Sequence, residues 1–339
     1  MAARRTLTVA VTGPTGDIGR SVIRALERST RVGRIVGMAR RPFDPREHGW
    51  KRTEYRRGDV LDRVSVDELV ADADVVVHLA FIIFGGREET REINLRGSRN
   101  VFEAAVDAGA QRLVYTSSVA AYGFHGDNPD VLTEDVPPRG TRDFYYSAQK
   151  AELEGLLNEV VAGSATDAFV FRPCIVAGRD APTLVEGFTG EKILGPRVRW
   201  LWRALQAAPL VGPVLPDTGT PFQLVHHDDV ATAIRAAVIG QGAPGTYNLA
   251  GDPAITVRDV ARALGWHTVP VPRAALGALG QVVSRAPLVP AQAGWVDVLR
   301  KAVLMDTSKA RRELRWKPRH DARATLRETV ASARAAGVV

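Results

Sequence analysis

The chain has 339 residues, about twice the roughly 150 of a typical domain. With 45% hydrophobic and 24% charged residues, 31 Gly and 20 Pro, it is globular in composition, which excludes a collagen-like, coiled-coil or disordered chain. The formal charge is +7, yet only six of the 45 basic residues are Lys and the Arg residues are scattered, so a nucleic-acid reader with a basic stripe is not expected.

The single cysteine, Cys174, excludes an intrachain disulfide and Cys-rich zinc patterns. The seven histidines show neither HxxxH nor HExxH spacing, so no metal site is expected. No run approaches the roughly 18 to 20 apolar residues of a membrane-spanning helix, and the most apolar window, Val75 to Phe84, carries His78. Met1 to Thr6 leads straight into a strand-like segment without a secretory apolar region, which points to a soluble, cytoplasmic protein.

In chain order, Leu7–Val11, Arg34–Ala39, Thr53–Arg57, Val75–Ala80, Arg112–Thr116 and Ala168–Val176 read as strands. Between them, Ile18, Val22, Ala25 and Leu26 share a helical face, as do Val101, Ala104, Ala105 and Ala108, and later Leu153, Leu156, Leu157 and Val160. Strands of buried type alternating with helices predict a Rossmann-type, doubly wound α/β fold around a parallel sheet. From Arg179 to Phe222 the rhythm breaks into a Pro- and Gly-rich stretch, returns at Phe222 to Ile239, and breaks again from Thr268 to Leu299. Residues 1–178 and 222–250 therefore read as a dinucleotide-binding domain, and 179–221 and 251–339 as a smaller, discontinuous substrate domain.

Thr12-Gly13-Pro14-Thr15-Gly16-Asp17-Ile18-Gly19 lies between the first strand and the first helix. There, glycines permit a tight turn and close backbone approach to a pyrophosphate, while the helix amino terminus offers N–H groups to the anion. Farther along, Tyr146 and Lys150 fall one turn apart on one face of a predicted helix. A phenol with a reference pKa of about 10 is a poor base at neutral pH, and a neighbouring ammonium favours the phenolate. Tyr146 could then exchange a proton with a substrate oxygen while hydride moves to or from a nicotinamide.

The TGxxGxxG spacing resembles the short-chain dehydrogenase/reductase family, and Thr116-Ser117-Ser118-Val119-Ala120-Ala121-Tyr122-Gly123 resembles that family's catalytic-serine stretch. Counting back four from Tyr122 selects Ser118 rather than Ser117, although Ser118 could also be a turn or helix cap. His78-Leu79-Ala80, Asn94 with Gly97, Arg172-Pro173, His226-His227-Asp228-Asp229-Val230-Ala231, Tyr247-Asn248-Leu249 and Arg312 to Pro318 extend the likeness to the extended branch, the NAD-dependent epimerase/dehydratase group. The resemblance implies Ser118, Tyr146 and Lys150 as catalytic residues, Lys150 also as a holder of the nicotinamide ribose, and Asn94 as support for a proton relay. It implies cofactor contacts at Gly13, Thr15, Gly16, Asp17, Ile18, Gly19, Asp59, Val60, Leu79 and Ala80, with Asp59 equally readable as a turn residue. Where an NAD-preferring relative carries an acid after the second strand, this chain has Ala39 followed by Arg40 and Arg41, which suits the 2′-phosphate of NADP unless they are plain surface arginines. Asp228 and Asp229 read as helix caps.

The stretch Phe81 to Gly86 is apolar, as are Phe188, Leu194, Trp200, Leu201, Trp202 and Leu205, with Trp200 and Trp202 expected in core or lid packing. Arg197, Arg199 and Arg203 suit either a diphosphate or a solvated helix face, and Cys174 reads as a buried strand residue. The leading expectation is an NADP- or NAD-dependent oxidoreductase acting on an alcohol or ketone of a moderately apolar small molecule. The alternatives are a nucleotide-sugar epimerase or dehydratase with retained NAD, and a nucleotide-sensing protein without turnover. Family resemblance further implies a homodimer.

Overall fold

A computed structural model describes residues 5–83, 87–181, 185, 213–272 and 302–338. Phe84, Gly85, Gly86, Phe188, Leu194, Arg197, Arg199, Trp200, Leu201, Trp202, Arg203 and Leu205 lie outside them.

Seven parallel strands form the main sheet: β1 (Leu7–Thr12), β2 (Val32–Ala39), β3 (Thr53–Arg57), β4 (Val75–His78), β5 (Arg112–Thr116), β6 (Asp167–Pro173) and β7 (Gly245–Leu249). Their order is β7-β6-β5-β4-β1-β2-β3. The order reverses between β1 and β4, which in an open α/β sheet leaves a crevice at the carboxyl ends of those strands. The expected strand over Ala168–Val176 divides: β6 ends at Pro173, and Ile175–Ala177 pairs instead with Leu224–His226 in a separate two-stranded ribbon.

The strands alternate sides as a period of two requires. Val9, Val11, Val75, Val77 and Val114 pack on one face against Val22, Ile23 and Leu26 of α1 (Gly19–Glu27). Ala10, Val76, Leu113 and Tyr115 pack on the other, against α2 (Arg63–Val70), α3 (Gly97–Asp107) and α4 (Tyr145–Val161). With both faces covered, apolar runs replace the alternation of a half-exposed strand. The three sequence-predicted helix stripes lie on the buried side, except Ala108, which falls at the exposed carboxyl end of α3. A third apolar cluster joins Leu215, Phe222, Leu224 and Ile255 to α6 (Val257–Leu264) and α7 (Ala322–Ala335).

Asp228 and Asp229 do not cap α5 (His227–Val238), contrary to expectation; the cap is His226, whose Nδ1 accepts from the Asp228 amide at 3.1 Å. Both carboxylates are drawn away by long-range cations and amides. Asp228 meets the Arg24 guanidinium of α1 at 3.1 Å, and buried Asp229 accepts from the amides of Arg319 at 2.8 Å and His320 at 3.0 Å. Trp316 Nε1 adds a bond to the Asp229 carbonyl at 2.8 Å. Asp229→Ala would take the shared carboxylate from these part-buried donors and is expected to cost about 2 kcal/mol, read as a lower urea midpoint for the whole chain; an unchanged midpoint would remove Asp229 as the anchor.

Candidate active site

The glycine loop has the geometry that its sequence implies. Gly13 sits at φ +70°, and a Cβ there would lie 2.9 Å from the Ala80 amide nitrogen, so the β1 loop runs backbone to backbone against the end of β4. A Cβ on Gly19 would run into the Gly13 carbonyl, whereas one on exposed Gly16 would meet only that carbonyl, at 3.6 Å. Gly13 and Gly19 thus serve the turn, and Gly16 leaves open room. α1 begins at Gly19, after Ile18, without a side-chain cap or an acidic residue in its first turn; the Arg20 amide bonds Gly16 O at 3.4 Å, and no side chain competes with an anion for the amides around it. Thr15 and Asp17 are half-buried beside them. This cradle fits a dinucleotide pyrophosphate.

Beneath the loop, Thr12 Oγ1 meets His78 Nδ1 at 2.7 Å and accepts from the amides of Leu79 and Ala80, each at 3.3 Å. His78 Nε2 continues to Ser98 at 2.8 Å. Burial, and then the charge of Lys150, pushes His78 down to about 3, so it stays neutral and serves as a strut between β1, β4 and α3. Arg40 and Arg41 are exposed at the end of β2, and among the described residues neither forms an ion pair. The Asp59 carboxylate closes its own turn, accepting from the Leu61 amide at 3.0 Å, and buried Val60 packs against Gly97.

β5 and α4 bring the other group together. Ser118 is buried and accepts from the Ala120 amide at 3.2 Å, while the Tyr146 phenol lies beside it. Ser118 therefore caps a short 3-10 turn and also faces the phenol. Burial pushes the Tyr146 phenol up, and the nearby Ser118 hydroxyl opposes this. Lys150 donates to Thr116 O at 2.9 Å and Tyr115 Oη at 3.3 Å, with its Nζ 3.7 Å over the Phe81 ring and 6.0 Å from the Tyr146 ring. Desolvation brings Lys150 down to about 7, against the opposing pull of Glu154. Lys150 thus adjoins Tyr146 without bonding its hydroxyl. Phe81 and Phe144 pack against the Tyr146 ring at 5.6 and 5.8 Å, and Phe124 against Phe144 at 6.0 Å.

Asn94 lies elsewhere in this arrangement. In a π-helical turn, its amide accepts from the Ile82 amide at 2.8 Å and donates to Ile82 O at 2.9 Å and Gln149 Oε1 at 2.8 Å. It tethers the loop after β4 to α4 and bonds none of Ser118, Tyr146 and Lys150. Sequence reading missed the buried network behind the site: Ser117 donates to Glu154 at 2.5 Å, and Arg172 pairs with Glu154 at 2.6 Å. A signal existed, because Glu154 interrupts the apolar stripe of Leu153, Leu156 and Leu157, where an unpaired carboxylate would be costly. His226, His227 and Glu328 also bring donor atoms within 4.8 Å of one another. The cap on His226 Nδ1 puts its proton on Nε2, which faces Glu328 at 3.2 Å, so the pair is satisfied by a hydrogen bond.

Sheet order, glycine cradle and the Ser118–Tyr146–Lys150 group define a dinucleotide-binding fold of the extended short-chain dehydrogenase/reductase type. Residues 9–250 match the model of the NAD dependent epimerase/dehydratase family, and the chain belongs to that family of enzymes. It is 28% identical over 333 residues to an uncharacterized protein of Sinorhizobium fredii, covering 95% of this chain and 77% of that one. It is 31% identical over 227 residues to the human 3 beta-hydroxysteroid dehydrogenase type 7, covering 60% of this chain and 58% of that protein. Its fold is similar to that of UDP-glucuronic acid 4-epimerase from Bacillus cereus in complex with NAD, at 18% identity and a TM-score of 0.70, covering 97% of this chain and 99% of the other. No helix among the described residues is long and apolar enough to cross a membrane.

The neutral strut has a pH consequence. His78 titrates near 6.5 when unfolded and near 3 when folded, so the unfolded chain takes up the proton first as pH falls, and stability declines from about 6.5 downward. Between pH 7 and 5 the loss from this group should be about 2 kcal/mol, and His78→Gln should flatten the slope of urea midpoint against pH. A slope unchanged in the variant would show that His78 does not carry it.

Proposed function

We propose that the enzyme moves a hydride between NADP or NAD and the alcohol or ketone carbon of a moderately apolar small molecule, with Ser118 polarising the carbonyl and Tyr146 moving the proton. The observation that carries this reading is the buried Tyr146 phenol beside the Ser118 hydroxyl and one helical turn from Lys150, inside an aromatic wall of Phe81, Phe124 and Phe144. When bound, the nicotinamide would supply or accept the hydride. Tyr146, held up by burial, is protonated at neutral pH and so is ready to donate to a carbonyl oxygen. Lys150 would hold the nicotinamide ribose and add positive charge beside the phenol. Gly13, Thr15, Gly16, Asp17, Ile18 and Gly19 would take the pyrophosphate, Asp59 and Val60 the adenine side, and Leu79 and Ala80 the inner ribose. Asn94 would act on the proton path only through the loop and Gln149 that it holds.

The aromatic wall and the likeness to a 3 beta-hydroxysteroid dehydrogenase both support an apolar alcohol or ketone as substrate. The likeness in fold to a UDP-glucuronic acid 4-epimerase keeps internal redox on a nucleotide sugar as the second reading. Arg40 and Arg41, exposed and without ion pairs among the described residues, favour the 2′-phosphate of NADP. The apolar cluster of α6 and α7 supports a smaller substrate lobe built from 179–221 and 251–339, completing a main domain of 1–178 and 222–250. A homodimer would use α3 and α4, between which an open groove of about 680 Å³ runs past Leu95, Arg99, Glu152 and Leu156. We assign the protein to the cytoplasm on its reduced single thiol.

Denaturing the purified protein and identifying released nucleotide by mass spectrometry separates the two redox readings. Retained stoichiometric NAD supports the epimerase cycle, and an empty protein that binds NADPH supports the dissociable cosubstrate. Arg40→Ala with Arg41→Ala should weaken NADPH roughly tenfold or more while sparing NADH; equal loss for both cofactors would overturn the 2′-phosphate assignment. With a hydroxysteroid or other apolar alcohol that is turned over, Tyr146→Phe should lower kcat by about 10² to 10⁴ and leave cofactor affinity near wild type. Wild-type turnover in that variant would end the role given to Tyr146.

A further inference from the structure

Three consecutive residues at the end of β5 each face a residue of α4, and those residues stand one helical turn apart. The Tyr146 phenol lies beside Ser118, Lys150 donates to Thr116 O at 2.9 Å, and Glu154 accepts from Ser117 Oγ at 2.5 Å. Positions 146, 150 and 154 form one row along the helix. Ser117 is pinned on its other side too, because its amide donates to Phe171 O of β6 at 2.7 Å. Since Ser117 adjoins Ser118, a change in the one moves the hydroxyl of the other.

Glu154 is 3% exposed, as is Lys150. Its carboxylate is held by Arg172, with Nε at 3.0 and 3.2 Å and Nη2 at 2.6 Å, and the guanidinium lies 4.3 Å over the Tyr122 ring. Lys150, by contrast, has no carboxylate within ion-pair distance among the described residues; its contacts are a carbonyl, a phenol and the faces of Phe81 and Tyr115. His78 nearby is neutral. Glu154, one turn along the same helix, is the negative charge that acts on Lys150.

We infer that Glu154 is a positioning residue for the acid–base group: it is the strut that fixes Ser117, and so Ser118 opposite Tyr146, and it is the counter-charge for buried Lys150. The inference rests on the reading that Ser118, Tyr146 and Lys150 carry the chemistry. Glu154 itself is remote from the substrate oxygen and acts through its neighbours. A buried Arg172–Glu154 pair used only to hold the fold would need no bond to Ser117 and no place in the row of Tyr146 and Lys150.

The full chain has six lysines, so 13C-lysine NMR resolves each ammonium, and Lys150→Arg assigns the signal of Lys150. In the wild type Lys150 should titrate at about 7. In Glu154→Gln the charged fraction of Lys150 at pH 8 should fall roughly tenfold, and Glu154→Asp, which keeps the charge, should restore it. An unchanged Lys150 titration in folded Glu154→Gln overturns the counter-charge. Ser117→Ala leaves the ion pair intact and tests the strut even if Glu154→Gln does not fold. Amide exchange across Ser118 to Ala121 should then speed at least about tenfold, and exchange at the wild-type rate overturns the strut. Neither measurement needs cofactor or substrate, so failure of the hydride-transfer reading would show separately, as a chain that binds no nicotinamide nucleotide.

Discussion

A parallel sheet ends all its strands on one edge, and the rest of this molecule follows from that constraint. Seven strands, the central ones buried on both faces, carry their carboxyl ends to the same side. The glycine loop after β1, the His78 strut after β4 and the serine turn after β5 are therefore neighbours although more than a hundred residues separate Gly13 from Ser118. The two core clusters on either face fix the height and tilt of that edge. Side chains on it need no long loops to meet, and Gly13 can lie against Ala80 because it carries no Cβ.

Charge at this edge is governed by burial more than by pairing. Lys150 and His78 are both pushed toward their neutral forms by desolvation, and Tyr146 toward its protonated form. Among the described residues the one ion pair buried on both sides, Arg172 with Glu154, lies behind the group and not within it. Such a pair adds little net stability over apolar residues of similar shape, but removing one partner leaves an uncompensated charge. It therefore constrains which residues may stand at Ser117 and Tyr122 as well.

Local patterns were legible where the chain itself determines the geometry. β3 and β5 run between the same residues in sequence and structure, and the glycine loop shows in its spacing why Gly13 and Gly19 must lack side chains. The Tyr146–Lys150 spacing likewise announces a shared helix face. What the sequence concealed came from partners far along the chain. Asp228 and Asp229 look like caps because they open a helix, yet Arg24 and the amides of Arg319 and His320 claim them. Asn94 matches a relay residue by position, while Ile82 and Gln149 occupy its amide. Local spacing also leads one to expect Lys150 to act on the Tyr146 hydroxyl, and only the folded contacts reveal that Thr116 and Tyr115 hold its Nζ.

The grip of Asp229 on Arg319 and His320 also sets an order of events during synthesis. Its carboxylate lies at the start of α5, but the amides that satisfy it are made some ninety residues later. Until that stretch emerges, water must serve the Asp229 carboxylate, and α5 meets α1 without that brace, through contacts such as Arg24–Asp228. The helix that opens with the phosphate cradle is thus braced by residues near the far end of the chain. The first βαβ units are translated early, but their packing face is completed only when the last of these segments folds back.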